Sequence, residues 1–211
     1  MRFRTSSRSQ RATFTDIFRK NAWGHPESVS GPGSTQSRGR DFQDALAALL
    51  DEWNVRSIVD VPCGDFNWMR YVLADQVYTG IDIVRELILE NVRLHAAPHR
   101  RFVCADMTRA PLPQADLIIC RDGLVHLSLT DARAAIRNFR RSGSRYLLAT
   151  TFIDRSSNAD IRTGAWRPLN LSAGPFGFPE PLALIDERCT HSEGIYRDKR
   201  LALWELATLT A

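Results

Sequence analysis

The chain has 211 residues, 44% hydrophobic and 25% charged, the balance of a globular domain able to bury a sizeable core. That balance excludes a long disordered chain, a collagen-like repeat and a small disulfide framework. The formal net charge of +4 is unevenly placed, because residues 1–20 carry Arg2, Arg4, Arg8, Arg11, Arg19 and Lys20 against Asp16 alone.

This basic, Ser-rich arm reads as a solvated terminus or, alternatively, as a docking element for nucleic acid or an acidic surface. It has no apolar leader region. The longest apolar runs, such as Leu117–Cys120 and Tyr146–Ala149, are too short to cross a bilayer. Cys63, Cys104, Cys120 and Cys189 form no CxxC pair, so they read as reduced thiols of a cytoplasmic protein. His25, His95, His99 and His191 share no ligand spacing, and no metal is expected.

Residues 24–40 are rich in Gly, Ser and Pro and read as an ordered loop. The expected division is an arm with a covering loop over residues 1–40 and one domain over 41–211. A helix is predicted at about 41–53, with Phe42, Leu46, Leu49, Leu50 and Trp53 on one face. Strands follow at Arg56–Val61, Gln76–Ile83, Arg101–Met107, Asp116–Cys120 and Arg145–Phe152. Helices are predicted after the first glycine turn, over Arg85–Leu94, and from a capping-box-like Ser128-Leu-Thr-Asp131 onward. This alternation implies an α/β fold with a parallel sheet covered on both faces. Residues 153–181 carry four prolines and three glycines and break it; Trp166, Phe176 and Phe178 there suggest an ordered lid. Two strands, Leu182–Cys189 and Lys199–Leu209, close the chain as a hairpin.

In such a sheet ligands bind beyond the carboxyl ends of the strands. The first strand runs into Asp60-Val-Pro-Cys-Gly-Asp-Phe-Asn-Trp68. Asp82 ends the second strand, at the distance from Gly64 where an acidic residue meets ribose hydroxyls. Asp106 and Met107 end the third and could hold an adenine. Each aspartate alone could be a turn or cap residue, but three in succession point to a nucleoside. A dinucleotide needs further glycines to approach its pyrophosphate. Only Gly64 is present, and Asp65 puts negative charge where phosphates would sit. The loop therefore favours the phosphate-free, cationic S-adenosylmethionine over NAD.

The stretches VDVPCGDFNW, YTGID, ADM and IICRDGLVHLS resemble the class I S-adenosylmethionine-dependent methyltransferases over about residues 45–152. The resemblance implies a Rossmann-like, mostly parallel seven-stranded sheet of order 3-2-1-4-5-7-6, closed by a C-terminal antiparallel hairpin. It implies that Asp60 and Gly64 lie under the methionine part of the cofactor, beside Cys63 and Asp65. Asp82 and Ile83 would bind the ribose, Asp106 and Met107 the adenine, and Cys120 and Arg121 the sulfonium side. Pro62 and Phe66 stand where the family usually has glycine.

Asp122-Gly-Leu-Val-His126 follows the fourth strand, where a methyl acceptor should enter. His126 is a candidate general base, or a residue that packs the next helix; Asp122 would orient it or bind the acceptor. In-line positioning alone can also suffice for methyl transfer. Gly31, Gly33 and Ser34 in the covering loop could meet the cofactor's carboxylate. Trp166, Arg167 and Asn170, in a substrate loop at about 153–181, would hold a polar small-molecule acceptor, and O-methylation is the expected outcome. The alternatives are an RNA or protein methyltransferase docking through the basic arm, and a non-catalytic cofactor-binding module.

Overall fold

A computed structural model describes residues 9–35, 40–189 and 194–209, with the side chains of 40 and 41 excepted. Arg2, Arg4, Arg8, His191 and Glu193 lie outside the described residues.

Seven strands form one sheet: β1 Ser57–Asp60, β2 Val77–Asp82, β3 Arg100–Cys104, β4 Leu117–Cys120, β5 Tyr146–Phe152, β6 Ala183–Asp186 and β7 Lys199–Glu205. Their order is β3-β2-β1-β4-β5-β7-β6. β1 to β5 pair in parallel, and β7 runs antiparallel to both β5 and β6. All four residues of β4 and all seven of β5 are buried, as a near-continuous apolar run in a two-sided sheet should be.

Among the described residues four α-helices accompany the sheet: α1 Gln10–Arg19, α2 Arg40–Glu52, α3 Arg85–His95 and α4 Leu129–Arg141. α2 buries Phe42, Leu46, Leu49 and Leu50, with Ile88 of α3 in the same apolar cluster. On the other face α4 buries Ala132, Ala135, Ile136 and Phe139; its Arg133, Arg137, Arg140 and Arg141 are exposed. Ser128 Oγ caps α4 by accepting from the Asp131 N–H at 3.1 Å. The return half of the capping box is relayed: Thr163 Oγ1 donates to Asp131 and accepts from the Ser128 N–H.

Three sequence expectations change. No α-helix follows the first glycine turn; a 3-10 turn at Met69–Tyr71 stands there, and Phe66, Trp68, Met69 and Val72 fill the core that a helix would have covered. The basic arm is helical from Gln10 onward, capped by Ser9 Oγ accepting from the Ala12 N–H at 3.2 Å. Residues 153–181 are ordered but do not form a lid: Leu169, Leu171, Phe176 and Phe178 are buried in the α4-side core. Apolar side chains outweigh the Pro/Gly backbone there, so the segment packs inward.

Candidate active site

Sheet register builds the floor of the site. Asp60 pairs with Gly80 and Ile119, and Asp82 pairs with Cys104, so the ends of β1 to β4 lie along one edge. A cleft of about 1030 Å³, solvent at its mouth included, runs over this edge. Its floor holds Val61–Gly64, Asp82, Ile83, Asp106, Met107, Arg121, Asp122 and His126. Its cover holds Gln10, Phe14, Phe18, Trp23, Val29, Ser30 and Ser34.

Gly64 is required twice over. Its φ is +54°, a left-handed conformation that costs side-chain-bearing residues about 1–2 kcal/mol. An added Cβ would also lie 2.3 Å from Ser30 Oγ. Phe66, at a family glycine position, has φ +57° and is held there by burial against Tyr78 and Phe102.

Asp82 accepts from the Gly64 N–H at 3.2 Å and the Val84 N–H at 3.0 Å. Burial raises its carboxyl to about 6 against these bonds. Asp106 accepts from the Thr108 N–H and hydroxyl. Asp60 does not line the cleft. It lies just before Val61, is 1% exposed, and accepts from the Tyr78 hydroxyl at 2.7 Å, while its other oxygen has no partner. Burial pushes its carboxyl up to about 7.

Asp65 and Cys120 also fall outside the cleft lining. Asp65 pins the cover, accepting from Ser28 Oγ, the Val29 N–H and Ser30 Oγ at 2.7, 3.0 and 3.1 Å. Cys120 is buried, its sulfur packed where a Cβ on Gly123 would stand. Burial raises the thiols of both Cys63 and Cys120 and favours their protonated form.

Arg121 lies between Phe42 and Trp68, its guanidinium 4.7 and 5.2 Å from the ring centroids. It donates to Glu187 and to the Gly33 carbonyl. Asp122, at φ +53°, donates its N–H to Thr150 Oγ1 at 2.8 Å and accepts from Lys199 Nζ at 2.7 Å. Burial would raise the Asp122 carboxyl, but Lys199 and Arg121 outweigh it and hold it below the usual range. Lys199 also meets Glu187 at 3.2 Å. Glu187 and Lys199 escaped the sequence reading, since they come from the closing hairpin, 66 and 77 positions from their partners.

His126 ends a 3-10 turn, Leu124–His126. Its Nδ1 is 2.9 Å from the Ala165 carbonyl. A carbonyl only accepts, so Nδ1 carries the proton and Nε2 keeps its lone pair. Burial lowers the ring's basicity, which keeps it neutral near pH 7. Asp122 acts on it through charge; the Ala165 carbonyl, not Asp122, orients it.

The structure does not bring Trp166, Arg167 and Asn170 to the cleft. Arg167 is 5% exposed and donates to the Ala159, Leu124 and Val125 carbonyls. Asn170 is tied to Arg155 and Asn158. Trp166 meets Phe152 and Tyr196 edge-on. Together with the Gly164 N–H, which donates to the His126 carbonyl at 2.8 Å, this loop braces the 3-10 turn from behind. Sequence reasoning missed the cover helix, although Gln10, Phe14 and Phe18 stand at helical spacing after a Ser cap.

Among the described residues no group of His, Cys, Asp and Glu is arranged to hold a metal, and no helix is long and apolar enough to cross a membrane.

Comparison with known proteins agrees with this architecture. Residues 58–143 match the family model of a methyltransferase domain. A magnesium protoporphyrin IX methyltransferase from Synechocystis PCC 6803, solved with bound SAM, is 16% identical; 95% of this chain and 99% of that chain are covered, with a TM-score of 0.61. The 1,6-didemethyltoxoflavin-N1-methyltransferase of Burkholderia thailandensis, solved with its acceptor and S-adenosylhomocysteine, is 14% identical over 92% and 86%, with a TM-score of 0.62. An S-adenosylmethionine-dependent methyltransferase from Clostridium acetobutylicum ATCC 824 is 16% identical over 56% of this chain, which spans about half (53%) of that chain, with a TM-score of 0.47. No curated protein matches.

The fold and residues 58–143 are those of a methyltransferase domain. The chain shares its fold with S-adenosylmethionine-dependent methyltransferases, and Pro62 and Phe66 stand in its first loop.

Proposed function

We propose that the protein methylates a hydroxyl of a small-molecule acceptor, with S-adenosylmethionine as donor and His126 as general base. The carrying observation is the fixed tautomer of His126 at the end of β4, with Nδ1 locked to the Ala165 carbonyl.

The residues present fit this cofactor. Asp82, Asp106 and Asp122 make the lining acidic, which suits a sulfonium and an ammonium and disfavours phosphates. Asp82 would hold the ribose, Asp106 and Met107 would flank the adenine, and Gly64 and Ser34 would receive the amino-acid end. Bound there, the cofactor supplies an electrophilic methyl carbon.

The chain's own groups then manage water and the proton. Phe14, Phe18 and Trp23 exclude water over the site. His126 Nε2 takes the proton of the acceptor hydroxyl as its oxygen becomes the nucleophile. The Asp122 carboxylate favours the imidazolium that results.

The test is calorimetric titration with S-adenosylmethionine and, separately, with NAD. Saturable binding of the first alone is expected; binding of NAD alone, or of neither, refutes the cofactor assignment. His126→Gln should keep cofactor affinity and lower turnover of a hydroxylated acceptor by about 10²-fold. Unchanged turnover would remove His126 as the base.

A further inference from the structure

We infer that the acceptor is a neutral, planar hydroxyarene that lies against Trp23, with its hydroxyl directed to His126. This deepens the methyltransferase proposal and rests on it.

The geometry separates the two ends of the cleft. Neighbouring strands lie about 4.8 Å apart, so the ends of β3 and β4 are about 14 Å apart across the sheet. Asp106 and Asp82 belong to the β3–β2 end, where a nucleoside fits. α1, roughly 15 Å long, crosses the mouth between the two. Its Arg19 pairs with Glu86 beside β2. Its Thr13 meets Gly164, which bonds the His126 carbonyl beside β4. Trp23 is placed at the β4 end by its ring contact with His126, 4.9 Å between centroids at 34°.

What remains at the β4 end is mostly aromatic and apolar. Trp23 and Phe14 offer faces without hydrogen-bond partners, while His126, Asp122 and Gln10 supply polar atoms. A flat ring stacks on such walls. A sugar would bury several hydroxyls, each needing a partner once water is gone, and too few partners stand there.

Charge narrows the class further. Among the described lining residues Arg121 is the one permanent cation, and it is already held by Glu187 and the Gly33 carbonyl. Lys199, behind Asp122, is held by Asp122 and Glu187. A phosphate or carboxylate on the acceptor would find both cations already paired and no free one among the described residues to hold it. The same argument disfavours a nucleic-acid acceptor.

The probes are 2-naphthol and 2-naphthyl phosphate, titrated into the protein saturated with S-adenosylhomocysteine. We expect 2-naphthol to bind at least tenfold more tightly than its phosphate ester. Trp23→Ala should weaken 2-naphthol at least tenfold and S-adenosylhomocysteine less than threefold, and Trp23→Phe should restore most of the loss. The ester binding as well as the alcohol, no 2-naphthol binding, or no effect of Trp23→Ala would each overturn the inference. Failure to bind S-adenosylhomocysteine at all overturns the methyltransferase proposal and, with it, this inference.

Discussion

The floor of the cleft and its cover are held in different ways. The floor stands on strand ends whose neighbours are buried on both faces: β4 and β5 expose nothing, and the 3-10 turn bearing His126 is braced by Arg167, Gly164 and Ala165. The cover is held largely by polar attachments, with Phe14 of α1 packed half-buried on the α4-side core. The strap at residues 28–30 hangs on the Asp65 carboxylate, and α1 contains no fully buried residue. Its link to α3 is the exposed Arg19–Glu86 pair, a solvent-screened contact that contributes little. Stability is therefore concentrated beneath the cleft, and the covering segments belong to the low-stability end of the molecule.

The comparison can be broken from the floor upward. Arg167→Ala should have the largest effect. It removes the guanidinium that ties the Leu124, Val125 and Ala159 carbonyls together, although Leu124 keeps the Leu127 N–H and Val125 the Arg167 N–H, and should cost about 3 kcal/mol. Denaturant unfolding would read it; a cost below about 1 kcal/mol would mean that the brace is dispensable. Gly64→Ala attacks the point where floor meets strap. The strained φ and the approach to Ser30 should cost about 2 kcal/mol and weaken cofactor binding at least tenfold by titration.

Asp60→Asn tests the buried acid by pH. Between about pH 4 and 7 the unfolded chain releases this proton while the folded chain keeps it, because burial raises the native carboxyl to about 7. Native stability therefore falls as pH rises through that window. The variant lacks this loss, so it should gain on the native protein between pH 4.5 and 8, by on the order of 2 kcal/mol. Melting curves at the two pH values would show it; parallel curves would mean that Asp60 is ionised in the fold. Arg19→Ala should have the smallest effect on global stability, under about 0.5 kcal/mol. It should nonetheless speed amide exchange in α1 without touching β4 or β5. Equal acceleration in the strands would erase the distinction between floor and cover.

The strand-end aspartates were legible because strand length, turn glycines and carboxylates recur locally, and each strand end is written in a few adjacent residues. The sheet order followed from the family resemblance, and the antiparallel last strand from a hairpin signal. Which aspartate faces the cleft was not legible. Asp60 and Asp65 stand in the same loop context as Gly64, yet one is buried against Tyr78 and the other points at the strap. That outcome depends on side chains 18 and 35–37 positions away.

The loop at 153–181 misled for a related reason. Its prolines and glycines describe the backbone, while the destination of Phe176 and Phe178 depends on what the α4-side core leaves unfilled. Sequence by itself determined the alternating elements, the acidic edge and the chemistry that such an edge tolerates, because periodicity and turn chemistry are properties of neighbouring residues. Only the tertiary structure decided that Lys199 and Glu187 neutralise the β4 end, that Arg167 is a brace, and that α1 joins the cover of the cleft. Those roles arise from contacts between distant segments, and burial, not local propensity, selects which of them form.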